Sequence, residues 1–302
     1  MKNFNKIYER IYKESNELME MLRKKNRNMT ILIVIAFVIL EIIVIKFLKS
    51  QKNNEIGDNF GLIIIMIPIL GAVFAMQKSK NMSSYNLLFK NKVIKEFVKE
   101  YSEELTYIPT RGISSQIYRS AQFEQSYNTY YSEDLIYGLL EGKYLINMAE
   151  IKTERKEKKV PQIIFEGLFA EIQFNKKINA NILIRSVGRV PFDMIGSKLE
   201  MDSGEFEKIL NVYSTNKIIA MQLLTSDVME ILIDFENENK IIPEITLEDN
   251  KMYIRFPTGN VFEAKVATRA LDYGILKEYY DIINFTLNLT EKIIKNINEI
   301  EV

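Results

Sequence analysis

The sequence predicts an α+β membrane protein: an N-terminal transmembrane helical hairpin with a helical stalk, then a cytoplasmic domain of antiparallel β-meander plus helices. Three observations predict it. Two apolar runs, Thr30–Leu48 and Phe60–Met76, are separated by a short polar loop. Each is long enough for a span, since about 19 residues at roughly 1.5 Å rise cover about 28 Å, close to a hydrocarbon core. Apolar residues recur at heptad-like spacing on both sides of this hairpin. From Asp134 the period changes to two, with helical stretches between the strands.

Residues 1–28 read as an amphipathic cytoplasmic helix, with Phe4, Tyr8, Ile11, Leu18 and Leu22 on one stripe. The lead is too long and too mixed in charge for a signal peptide, and no small-residue cleavage site follows it. Residues 29–76 form the two-helix transmembrane hairpin. Arg23, Lys24, Lys25 and Arg27 precede the first span, and Lys78, Lys80, Lys90, Lys92 and Lys95 follow the second. They outweigh Lys49 and Lys52 in the loop, which places both termini in the cytoplasm. Glu41 lies inside the first span, either as a functional carboxyl or near the outer interface. Pro68 is expected to kink the second span. There Gly71 and Ala75 form a small-xxx-small pair that lets a neighbouring helix approach. Residues 77–109 read as a helical stalk, with Leu87, Ile94, Val98, Tyr101 and Leu105 on a heptad stripe and Ile108–Pro109 ending it. Coiled-coil-like pairing with the lead helix would bury both stripes.

Residues 110–266 form the α+β cytoplasmic domain. Gly112–Ser115 starts a short helix reaching about Phe123, and a tyrosine-rich loop ends in Tyr130 and Tyr131. Leu135–Leu140, Tyr144–Ile151, Ile163–Phe174 and Asn181–Ile184 read as strands. Glu141–Gly142 makes a turn and Lys152–Lys159 a charged hairpin tip. Ile163–Phe174 is apolar on both faces, which predicts a central, covered strand. Leu210–Tyr213 reads as extended, and Asn216–Leu224 and Ser226–Phe235 as helices, the second capped by Thr225 or Ser226. Further strands are expected at Glu244–Leu247, Met252–Phe256 and Val261–Lys265, with turns at Asp249–Asn250 and Thr258–Asn260. Residues 267–302 hold a long C-terminal helix.

The chain has 302 residues, no net charge, no histidine and no cysteine. That removes histidine- or cysteine-based nucleophilic triads and nitrogen- or sulfur-ligated zinc. It also leaves no whole-chain field toward nucleic acid. No Gly-rich phosphate loop is present. Asp234–Glu238 fails as a calcium loop, because Asn239 stands where glycine is required. No cofactor, metal or catalytic set is therefore expected. Glu133 and Asp134 read as a strand start, exposed or capping a turn. Glu166 and Gly167, within Phe165–Phe169, are the remaining candidates: a binding surface or, more ordinarily, a close-packing glycine beside a glutamate that faces solvent or pairs with lysine.

In order and spacing, Glu133–Gly138, Phe165–Phe169, Phe174–Lys176, Glu205–Glu207, Val212–Ser214 and Leu224–Thr225 are similar to an uncharacterised bacterial membrane-protein family, the domain of unknown function 3137. The chain departs from the pattern at Asn216 and Ile219, where carboxylates are expected. The resemblance implies no activity. It implies a multi-pass protein of the bacterial cell membrane, and a LemA-type membrane protein as partner. The expected function is therefore a membrane-anchored, cytoplasm-facing interaction or regulatory domain without evident catalysis. A lipid or small-ligand binding module with a PH-like shell and a carboxylate-based enzyme are the alternatives.

Overall fold

The computed structural model describes residues 3–50, 71, 82–124, 126–140, 142–157, 160–189, 196–264 and 269–300. The loop expected at 50–59, apart from Ser50, and the second apolar run, apart from Gly71, lie outside them, as does Ala75. The chain divides into two compact units.

One unit comprises Glu9–Val93 and Glu263–Asp272. Helix α1, Phe4–Ser50, is unbroken, so the amphipathic lead and the first apolar run are one helix. Its apolar part is long enough to cross a membrane and is not buried by protein. Within this unit Glu20 accepts from the Ala270 amide at 2.7 Å and from Arg23 at 2.8 Å. Lys90, buried, pairs with Glu263 at 2.8 Å.

Helix α2 covers residues 82–101, with a π-helical turn at Lys90–Ile94. The extra residue in that turn rotates everything after it by about 100°. Tyr85, Phe89, Val93, Ile94, Phe97 and Val98 are consequently the buried residues, and Leu87, expected on the stripe, is 46% exposed. The helix stops at Tyr101, before Leu105, which pairs in a strand instead.

The other unit is built on a seven-stranded antiparallel sheet. Its strands are β1 Leu105–Ile108, β2 Thr129–Leu140, β3 Tyr144–Arg155, β4 Gln162–Ser186, β5 Ser197–Leu199, β6 Leu210–Ser214 and β7 Glu244–Phe256. The order is β1-β2-β3-β4-β6-β5, with β7 on the other edge of β4. The helices are α3 Ser115–Ser120, α4 Phe206–Ile209, α5 Lys217–Leu223, α6 Ser226–Asn239 and α7 Tyr273–Glu299. Ser114 caps α3, which ends before Phe123 because Gln122 turns left-handed. Asn216, the departure from the family pattern, accepts the Ile219 amide and caps α5.

β4 is the spine. Its first half lies between β3 and β7, and its second between β6 and β7. The expected break after Phe174 does not occur. The polar stretch Asn175–Lys177 stays in the strand where β4 exchanges β3 for β6, and pairing irregularities absorb the change. β7 likewise runs through Asp249–Asn250, because Asp249 takes a left-handed conformation inside the strand rather than making a turn. β3 extends to Arg155, shortening the charged tip.

Both faces of the sheet are covered. Ile113, Tyr118, Ala121 and Phe123 pack with Phe165, Phe169, Leu183 and Tyr253 on one face. On the other, Phe235 of α6 and Phe285 of α7 lie with ring centroids 4.1 Å apart, each 5.8 Å from Phe256.

Candidate functional site

Alternation along three strands brings Tyr131, Glu133, Glu150, Lys152, Glu154 and Glu166 onto the same face of the sheet. They line an open cleft of about 540 Å³, with Gly167, Gly259 and Asn260. The Gly259 amide donates to the Glu166 carbonyl at 3.1 Å, laying the loop after β7 across β4. Gly167 is required there: a Cβ would meet the Phe256 carbonyl oxygen at 2.0 Å. The glycine is thus a close-approach position, and Glu166 beside it stands 3.6 Å from Lys152. Lys152 is also 3.2 Å from Glu154. Glu154 first, working against partial desolvation, and then Glu166 hold the Lys152 ammonium above its ordinary pKa.

The sequence shows no clustered carboxylates, but the fold makes a cluster. One oxygen each from Glu133, Asp134 and Glu150 lie within 4.8 Å of one another. Asp134 is fully buried and Glu150 nearly so, against the expectation of an exposed strand start. The reason is a bulge in the β2–β3 pairing between Glu133 and Ile136. Asp134 sits left-handed in it, its amide donating to the Pro109 carbonyl at 3.2 Å. Three carboxylates suit an oxygen-preferring divalent cation. Their lone pairs already have other work, however. Tyr107 donates to Asp134, and Glu150 Oε1 accepts the Val261 and Phe262 amides at 2.7 Å and 2.6 Å. Two successive amides converging on one oxygen are not the alternating amides of a strand, and Val261–Ala264 is not the strand expected there.

A second polar assembly lies on the opposite face. Arg255, 1% exposed, is sandwiched between the Phe123 and Phe165 rings at 4.7 Å and 4.9 Å from their centroids. It donates to Glu244 Oε2 through Nε at 2.8 Å and Nη2 at 2.6 Å, and through Nη1 to Tyr118 at 3.2 Å and Glu124 at 3.3 Å. Thr153 also donates to Glu124, at 2.6 Å. Arg185 donates to the Phe123 carbonyl and lies 3.8 Å from Glu244. Burial alone would raise the Glu244 pKa, but Arg255, Arg185 and Arg189 outweigh it and hold the carboxyl below the usual range. None of these residues stands out in sequence. Alternation pairs Glu244 with Thr246 and Tyr253 with Arg255, but the two pairs share a covered face only because the chain changes phase at left-handed Asp249, which composition does not show.

Of the other candidates, Glu41 lies on the exposed part of α1. Gly71 is helical, and a Cβ there would come within 3.0 Å of the Phe37 ring.

No curated protein matches the chain. Among solved structures, the crystal structure of the mycobacterial trehalose monomycolate transport factor A, TtfA, aligns with 62% of this chain and 88% of its own. Its sequence identity is 11% and its TM-score 0.36, too low to speak for fold or function. The family match begins at β4, leaving Glu133–Gly138 outside and reaching well past Thr225 into α7. Residues 163–298 match the model of a family described as Protein of unknown function (DUF3137).

Proposed function

We propose that this protein is a membrane-anchored interaction or regulatory domain that works by binding, and that its acidic cleft receives a basic segment of a partner protein. The observation that carries this reading is the charge of the cleft: its lining offers Glu133, Glu150, Glu154 and Glu166 against Lys152 alone. An exposed concave surface of one sign attracts the opposite sign and sets partner choice. The walls are strand backbone, so little ordering is needed on binding. In this reading the chain crosses the bacterial cell membrane twice. Both termini are cytoplasmic, α2 and the lead of α1 form the stalk, and a LemA-type membrane protein is the first partner to test.

The test is a pull-down of the full chain from membranes in mild detergent, beside a Glu133→Lys/Glu166→Lys variant. Retention of a basic partner by the wild type, lost in the variant and weakened by salt, is expected. Retention indifferent to both changes overturns the cleft as the binding surface. The topology is checked separately. A cysteine placed in the 50–59 loop of this cysteine-free chain is expected to label from outside, and a reporter after Val302 to behave as cytoplasmic. The carboxylate-enzyme reading draws on the convergence of Glu133, Asp134 and Glu150. The hydrogen bonds already made by Asp134 and Glu150 count against it. Magnesium-dependent turnover abolished by Glu133→Gln would reinstate it.

A further inference from the structure

We infer that a second pocket, where the ends of β4 and α6 meet β7, binds a small amphiphilic anion: a phosphate or carboxylate head on a short apolar body. The pocket is about 260 Å³. Its inner wall is the Arg255–Glu244 pair, its sides are Phe165, Ile241, Ile242 and Pro257, and Arg189 and Lys240 complete the lining. The charges do not cancel. Inside the domain, Arg255 and Arg185 face Glu244 and Glu124, two cations against two carboxylates. Arg189 is a third cation on Glu244 and Lys240 stands beside it, so the described lining carries Arg189, Lys240 and Arg255 against Glu244 alone. Arg189 stays 3.7 Å from that carboxylate, with its side chain 49% exposed.

Both cations are placed by backbone. Arg189 follows a tight turn through left-handed Gly188, in which the Val187 amide donates to the Ile209 carbonyl at 3.0 Å and the Arg189 amide to the Ser186 carbonyl at 3.2 Å. Lys240 is the left-handed residue ending α6, its amide donating to Glu236 at 2.7 Å. Two cations rooted in ordered backbone beside apolar walls offer charge-assisted hydrogen bonds to an oxyanion and dry surface to the group that carries it. The inference is independent of the acidic cleft, which has the opposite charge and a different lining, so either can fail alone.

The experiment is calorimetric titration of the full chain in phosphatidylcholine nanodiscs. Hexyl phosphate is the probe, with inorganic phosphate and hexyltrimethylammonium for comparison. Hexyl phosphate is expected to bind, more tightly than inorganic phosphate, and hexyltrimethylammonium not to bind. Arg189→Ala/Lys240→Ala is expected to weaken binding about tenfold or more, the scale of one lost charge-assisted hydrogen bond, with the melting temperature lowered only slightly, since Arg255 and Arg185 still face Glu244. Nanodiscs containing phosphatidic acid separate the sources. Weaker hexyl phosphate binding there assigns the pocket to a lipid headgroup, and unchanged binding to a soluble anion. Absence of binding by hexyl phosphate, or equal affinity in the double variant, overturns the inference.

Discussion

The two faces of the same sheet treat charge in opposite ways. On the face covered by residues 113–124, Arg255 and Arg185 meet Glu244 and Glu124 with almost no exposure, and aromatic rings fill the gaps. On the other, near the β3–β4 tip, four glutamates and one lysine line an open cleft. The difference follows from solvation. Where water is excluded, an uncompensated charge costs several kcal/mol, so the set must balance. Where water remains, an imbalance is tolerated, and it becomes a surface that another molecule can neutralise. Balance marks structure, and imbalance marks a place for a partner.

The sharpest way to break this comparison is to unbalance the covered face. Arg255→Met removes the cation 3.3 Å from Glu124 and leaves Glu244 only Arg185 and Arg189, at 3.8 Å and 3.7 Å, and is expected to cost about 3–5 kcal/mol, read as a loss in denaturant midpoint. Arg255→Met/Glu244→Met, which removes the opposing charges together, is expected to recover much of that loss. A double variant as unstable as the single one would show that packing of the guanidinium between the rings, rather than charge, holds this face.

The next effect belongs to the cleft's floor. Gly167→Ala drives a Cβ into the Phe256 carbonyl, with the Thr258 amide 2.8 Å away. Backbone has to move on both strands, at an expected cost of about 1–3 kcal/mol. The loop carrying Gly259 and Asn260 should loosen first, seen as faster amide exchange at Gly259. Faster exchange in α6 instead would place the strain on the far side of β4.

Acid separates the two faces more gently. The lowered folded pKa of Glu244 means that its contribution is fully present above the unfolded carboxyl value of about 4.3. It is lost as pH falls through the lower folded value. Wild-type stability should therefore fall more steeply below about pH 4 than that of Glu244→Gln, which is already weaker at neutral pH. Parallel acid titrations would show that Glu244 is not the group that the arginines hold ionised.

How much of this was readable in the sequence varies with the range of the interaction. The central, doubly covered strand at Ile163–Phe174 was legible because apolar residues on both faces have one reading, and the structure pairs it on both edges. Thr225 was legible as a helix start and does stand at the N-cap of α6, although its hydroxyl accepts from Asn296 rather than from its own helix. The continuous course of β4 and β7 was hidden, because Asn175–Lys177 and Asp249–Asn250 have turn-like composition, and only the pairing of the residues on either side of them with segments far away in the chain keeps them within one strand. The π-turn in α2 left no compositional trace and moved Leu87 off the buried stripe. The candidate site was the least legible part. Glu150 and Asp134 meet only because a bulge turns the chain at Asp134, and Arg255 is buried only because residues 113–124 fold over it.

The smallest expected effect is at Glu166, the carboxylate that the sequence alone singled out. Its neighbours in the chain, Phe165 and Gly167, are apolar, yet its side chain is 32% exposed and pairs with Lys152 at 3.6 Å. A partly solvated pair of this length is worth at most about 1 kcal/mol, and less after screening. Lys152 retains Glu154 at 3.2 Å if Glu166 is neutralised. Glu166→Gln should therefore leave the melting temperature nearly unchanged, while Glu166→Lys, which brings a second ammonium beside Lys152, should lower it slightly and weaken capture of a basic partner far more. That split between stability and binding is what a cleft built for recognition requires. If Glu166→Gln destabilised the domain by several kcal/mol, the cleft would belong with the covered face as a structural assembly, and its surplus of glutamates would need another explanation.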